Sequence, residues 1–285
     1  MVNATGKRFV DEGADFRNYT YAKYGHVVLH QPGQFAWQIF DSKVIDMLRD
    51  EYRIRQVTKV TANTIEELAA KLDDVEAYLG ALRLMATYYP TPNTWLDLII
   101  RTEQRSGFSD RYTLDVYRLR EQTGTLLEPS DYMEAVQLAL QAGYPGDAQR
   151  LIEGGYQRGV LGQADDSGAQ RQERLRELVQ RKVAEDRATA EEEASLAAQA
   201  ERGDALVNTG YNLVGYGEYE RGIALMNQGI EKGSLLQPNE ARLRLGHAYF
   251  MAGMKSEALE IFSSLKADDG SSALAGLWRI LAHND

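Results

Sequence analysis

At 285 residues, 44% hydrophobic and 26% charged, the chain has the composition of a globular protein long enough for one large or two modest cores. Its 32 basic residues against 42 acidic ones give a net charge of −10, with no dense basic stripe, which argues against a nucleic-acid partner. The absence of cysteine excludes disulfides, thiolate metal sites and a cysteine nucleophile.

Residues 1–76 read as a small α/β segment. Gly25–Leu29 and Gln34–Phe40 carry β-prone residues and are predicted as short strands on either side of Pro32-Gly33. Thr64 and Glu67 have the spacing of a capping box and open a predicted helix over Ile65–Leu72. His26 and His30 stand four apart. On a strand that separation is too long for one shared ion, so no metal site is expected. Two strands and one helix do not make a self-sufficient core.

The runs Val2-Asn-Ala-Thr-Gly-Lys-Arg-Phe-Val-Asp-Glu12 and Gly13-Ala-Asp-Phe-Arg-Asn-Tyr19 resemble the succinate dehydrogenase and fumarate reductase flavoproteins, the tricarballylate dehydrogenase branch above all. Ala36-Trp-Gln-Ile-Phe-Asp41, Leu48-Arg-Asp-Glu-Tyr-Arg53 and Thr64–Leu72 continue the likeness. In that family the Gly-Lys-Arg-Phe-x-x-Glu strand lies where the capping and flavin domains join. An arginine shortly after it exchanges a proton with the substrate, and the resemblance puts Arg17 nearest that position, offset by one residue. The chain lacks the Gly-x-Gly-x-x-Gly turn that holds the pyrophosphate of FAD, and it lacks the family's other substrate-binding histidines and arginines. Without a positioned flavin, Arg17 is an orphan match. No catalytic residue and no cofactor are expected.

From about Trp95 onward, glycine recurs on a fixed beat. Gly107, Gly143, Gly217 and Gly253 are 36, 74 and 36 residues apart, so one beat is missed in the middle. A period of that length marks stacked helix pairs that cannot bury their apolar faces alone. Around Gly217, Leu206, Gly210 and Leu213 make one helical stripe and Tyr219, Ile223, Met226 and Ile230 a second. Gly210 and Gly222 are expected to face each other and let the two helices approach closely. The next unit repeats the plan with Leu245, Gly246 and Tyr249, then Ala258, Phe262 and Leu265. The unit around Gly143 is a weaker copy, preceded by Pro129 and by an expected capping pair, Asp131 and Glu134. The unit around Gly107 has Tyr112 in place of the usual small residue. The missed beat lies in residues 162–203, an irregular charged unit in which Leu175, Leu178, Val179 and Val183 form a stripe and the remainder is a solvated face. Leu277, Trp278 and Leu281 have the spacing of a capping helix at the end of the array.

The Gly-x-x-Tyr step and the small residue five after each turn glycine resemble the tetratricopeptide repeat. The stretch from Tyr78 also resembles an uncharacterised group of proteobacterial tetratricopeptide proteins, through Tyr88-Tyr-Pro90, Trp95-Leu-Asp-Leu-Ile99, Leu138-Ala-Leu-Gln-Ala-Gly143 and Ala205-Leu-Val-Asn-Thr-Gly-Tyr211. The expected architecture of residues 77–285 is therefore a mainly α, tetratricopeptide-like α-solenoid. In such arrays the first helix of each unit lines a concave groove that holds an extended peptide or a helix. The resemblance puts Asn208, Tyr211, Arg244 and His247 at those positions, as peptide-binding residues. Some members hold a C-terminal carboxylate with Asn and Lys or Arg there. Asn208 and Arg244 fit that pattern, while Glu240 stands where a lysine would be wanted.

Two unrelated idioms thus meet near Asp74–Tyr78, and the chain reads as a chimera: a fused or rearranged frame, a mispredicted gene start or an artificial composition. The leading expectation is a non-catalytic scaffold that binds a protein or peptide partner in the groove. The alternatives are an incomplete, inactive remnant of an FAD-dependent tricarballylate- or fumarate-type dehydrogenase, or a chimeric sequence with no selected function. Met1 runs into polar residues with no apolar h-region, and no apolar run reaches bilayer length. As written, the chain is expected in the cytoplasm, or in the periplasm if a longer parent carried a signal.

Overall fold

The computed structural model describes residues 1–3, 8–10, 17–31, 36–48, 60–64, 67–68, 75–163 and 166–284. The chain is mainly helical and divides into two compact units, Met1–Tyr89 and Pro90–Asp285.

In the first unit, α1 (Arg17–Leu29) is followed by a 3-10 turn at Ser42–Met47 and by α2 (Val75–Tyr88). Strand structure among the described residues is limited to isolated antiparallel bridges from Val2 to Arg8 and to Trp37. The expected strand Gly25–Leu29 is instead the last part of α1. Helical placement also revises the geometry of the two histidines: the rings of His26 and His30 stand 4.4 Å apart, and His30 Nδ1 contacts the His26 carbonyl at 2.8 Å. Among the described residues no third His, Cys, Asp or Glu joins them. The capping pair forms as spaced, since Thr64 Oγ1 accepts from the Glu67 amide at 3.1 Å and Glu67 Oε2 accepts from the Asn63 amide at 2.9 Å. Of the expected helix Ile65–Leu72, only Glu67 and Leu68 lie within the described residues, and Pro32-Gly33 lies outside them. Helix α2 runs across residues 76 and 77, so the division between the units falls after it, at Tyr89 and Pro90.

The second unit contains α3 (Pro92–Glu103), a 3-10 turn at Asp110–Tyr112, α4 (Thr113–Gln122), α5 (Pro129–Gln141), α6 (Pro145–Gln157) and α7 (Asp166–Gln199). It continues with α8 (Asp204–Gly215), α9 (Tyr219–Lys232), α10 (Pro238–Met251), α11 (Lys255–Ser264) and α12 (Ser271–Asn284). Proline stands in the first turn of α3, α5, α6 and α10, where its missing N–H costs nothing and its fixed φ favours entry into the helix. At α5 this overrides the expected Asp131–Glu134 capping pair. The chain is already helical at Pro129, Glu128 is the N-cap without a side-chain bond, and Asp131 pairs with Arg120 instead.

The beat glycines close helices in one repeated way. Gly143, Gly217 and Gly253 have φ of 78°, 83° and 74° and follow the ends of α5, α8 and α10. In each case the next amide reaches back five residues to a helix carbonyl: Tyr144 to Ala139 at 2.9 Å, Glu218 to Leu213 at 3.0 Å and Met254 to Tyr249 at 2.9 Å. This is the Schellman closure, which needs the left-handed conformation glycine adopts without strain. Gly107 also has a left-handed φ of 87° but lies in a looser connection after α3.

Apolar stripes from successive helices merge into one core that includes Tyr132, Ala148, Ile152, Val207, Met226 and Leu245. Helices α8 and α9 touch where expected, because a Cβ on Gly210 would lie 2.5 Å from the Gly222 carbonyl oxygen. The missed beat is filled by the single long helix α7, whose stripe of Leu175, Val179 and Val183 joins the core while most of its charged residues face solvent. Asp186 fixes it to α8, accepting from Asn212 Nδ2 at 2.7 Å and from Tyr216 OH at 2.8 Å. At the end of the array α12 buries Leu277, Trp278 and Leu281 as a cap. It also returns to the start. Helix α12 packs on α3, and Tyr112 OH donates to Asp269 Oδ2 at 2.9 Å. The ends of the helix array are therefore joined.

Candidate functional site

Joining the ends turns the inner faces of α4, α6, α8 and α10 toward one another, and polar side chains meet there. Asp115, Arg118 and Glu121 lie at three-residue steps on α4, so one face of that helix carries all three. Arg118 is fully buried and holds two carboxylates: its Nη1 donates to Asp115 Oδ1 at 2.6 Å and its Nε to Asp147 Oδ2 at 2.7 Å. Arg150 pairs with Asp147 and Glu121. Arg244 Nη1 reaches Glu240 Oε1 at 2.6 Å and donates to Tyr144 OH at 2.9 Å, while its Nη2 lies 3.5 Å from Asp115 Oδ2. The Arg118 guanidinium also lies over the Tyr211 ring, 4.6 Å from its centre.

The four sequence-derived binding residues are all here, but not as an open groove. Tyr211, Arg244 and His247 are 3%, 8% and 4% exposed, so the expectation that they face a partner in a free groove is revised. The cause is the closure of the array, which lets the inner helices cover one another. Tyr211 OH and His247 Nδ1 share a 2.6 Å hydrogen bond. Asn208 is the exposed member, and its Oδ1 accepts from Tyr144 OH at 2.9 Å. Tyr144 thus bridges Asn208 and Arg244. Glu240, which stood in place of an expected lysine, is the ion-pair partner of Arg244. Arg17 opens α1 in the other unit.

Burial sets the protonation of this interior. It holds His247 well below the ordinary histidine range, aided by Arg150, Arg118 and Arg244, so the imidazole is neutral. Burial raises Tyr211 and Tyr144, which stay protonated. Burial opposes the charge on Arg118, but Asp147 and Asp115 outweigh it and hold the guanidinium charged. Arg118, Arg150 and Arg244 face Asp115, Glu121, Asp147 and Glu240, so three positive groups meet four negative ones. Even so, Arg118 Nη2, Arg244 Nε and His247 Nε2 are buried without a hydrogen-bond partner among the described residues.

Asp115, Arg118, Glu121, Tyr144, Asp147 and Arg150 were not foreseen. A signal existed in α4: Asp115 and Arg118 sit among Leu114, Val116, Tyr117 and Leu119, all buried. Charges inside an apolar stretch imply a paired interior. The first unit has a separate, apolar hollow of about 690 Å³ lined in part by Trp37, Ile39, Phe40, Leu84 and Tyr88. Arg8, Gln38 and Asp41 also line it.

The chain is 31% identical over 93 residues to a probable fumarate reductase of Shewanella frigidimarina, an alignment covering 28% of this chain and 15% of that protein. This supports a flavoprotein-like fragment within the chain, which spans a small part of the relative's length. No family model matches the chain, and no solved structure matches it. Among the described residues no helix is long and apolar enough to cross a membrane.

Proposed function

We propose that the second unit is a tetratricopeptide-type interaction scaffold, non-catalytic, that captures a segment of a protein partner through the inner faces of α8 and α10. The observation that carries this reading is the convergence of Asn208, Tyr211, Arg244 and His247, from helices one repeat apart, on a shared interior whose guanidinium groups keep unpaired N–H donors. Such donors suit a peptide carboxylate, and the aromatic rings beside them suit an apolar side chain next to it. The test is equilibrium binding of labelled peptides with free C-terminal carboxylates to the full chain. Saturable binding that weakens with amidated peptides and in Arg244→Gln supports the reading. Equal binding of amidated and free peptides removes it.

The partial likeness to a fumarate reductase favours a second reading, a remnant of a flavin-dependent dehydrogenase, with Arg17 as the match to its proton-exchanging arginine. Purified protein that releases flavin on denaturation supports the remnant and contradicts the scaffold as the whole account. Colourless protein that does not bind added FAD leaves the scaffold standing.

A further inference from the structure

The contact between the two ends of the helix array is concentrated at one short loop. Asp269 accepts from Tyr112 OH at 2.9 Å through Oδ2, with Asn239 Nδ2 3.4 Å from the same oxygen. Its other carboxylate oxygen accepts from the amide and hydroxyl of Ser271 at 3.0 and 2.6 Å, which starts α12. Its carbonyl accepts from the Ser109 amide at 3.1 Å. The backbones close tightly here: a Cβ on Gly270 would meet the Phe108 ring at 2.8 Å, and one on Gly107 would meet the Asp268 carbonyl at 3.2 Å. Tyr112 occupies the place where the repeat pattern calls for a small residue, and its hydroxyl spans 157 positions in sequence to reach Asp269.

We infer that the 268–271 loop and α12 are a latch that holds the interior of the array shut, and that a partner segment reaches His247, and through it the hydroxyl of Tyr211, only when the latch opens. Asp269 is partly exposed, while its partners Tyr112 and Ser271 are buried and α12 also packs Leu274, Leu277 and Trp278 into the core, so opening must break both these hydrogen bonds and apolar contacts. Its inner side bears on the site, because the Trp278 ring of α12 lies 4.8 Å from the His247 ring, tilted by 49°. Moving α12 takes the Trp278 ring away from His247. The unpaired donors inside the closed array are the groups a partner would satisfy on entry. The inference takes its purpose from the scaffold reading, but opening can be measured without any partner.

The experiment is amide hydrogen exchange on the full chain, comparing the parent with Asp269→Asn and Tyr112→Phe. The latch predicts exchange faster by about tenfold or more in α12 and α10, with α5 and α6 unchanged, because opening is local. A second variant joins Ser109→Cys to Asp269→Cys, in a chain otherwise free of cysteine, and oxidation should slow α12 and α10 again. Unchanged exchange in both single variants overturns the latch, and so does an equal rise in every helix, which would be global loosening. If opening is seen but peptides with free carboxylates bind no better to Asp269→Asn than to the parent, the latch stands and the scaffold reading fails.

Discussion

Arg118 shows how much of this interior is electrostatic. It is fully buried between two carboxylates from different helices, so removing it strands Asp115 and Asp147 without a counter-charge. Breaking a buried pair by deleting one partner costs about 3–5 kcal/mol. Arg118→Ala is therefore expected to lose that much in urea unfolding, and a loss under about 1 kcal/mol would mean the network is not closed in solution. His247 gives a pH test. Its folded pKa lies below the ordinary 6.5, so the unfolded chain takes up the proton first as pH falls through that value. Its contribution to stability is complete above pH 6.5 and declines below it, at up to about 1.4 kcal/mol per pH unit. Glu240 acts in the opposite sense, because burial raises its carboxyl above 4.5 in spite of Arg244, and so it offsets part of the decline in the acid range. His247→Gln should flatten the slope just below pH 6.5. An unchanged slope contradicts a buried neutral imidazole.

At the scale of elements, the glycines separate into two physical classes with different expected costs. Gly217 needs its left-handed φ of 83°, yet nothing lies within 4 Å of a Cβ there, so Gly217→Ala costs only backbone strain, about 1–2 kcal/mol. Gly210 is helical, and a Cβ would strike the Gly222 carbonyl of α9 at 2.5 Å. Gly210→Ala must push two helices apart, at about 1–3 kcal/mol, and should also lower the denaturant dependence if the core loosens. Thermal and urea unfolding of the two variants separate these cases. The turn glycines and apolar stripes were legible in sequence because Schellman closure and helical periodicity are local. The buried network was not. Asp115 and Arg244 are 129 residues apart, and on α4 alone an aspartate three before an arginine reads as a solvated pair. The end of α1 misled for a related reason: Val27-Val28-Leu29 favours a strand locally, but the helix begun at Arg17 carries through it.

For the whole molecule, the division at Tyr89 and Pro90 sets a first compact unit apart from a second whose helices share one core. Limited proteolysis should yield a stable helical fragment that begins near Pro90 and keeps a cooperative unfolding transition. Equal protection of both units would show one integrated domain instead. The proposed recognition of a partner carboxylate by the second unit is tested by titrating the full chain with free-carboxylate and amidated forms of the same peptides. Saturable binding of the free form is expected, with weaker binding of the amidated form and loss in Arg244→Gln while circular dichroism shows the fold retained. Identical behaviour of the two forms, or binding that survives Arg244→Gln unchanged, would contradict it.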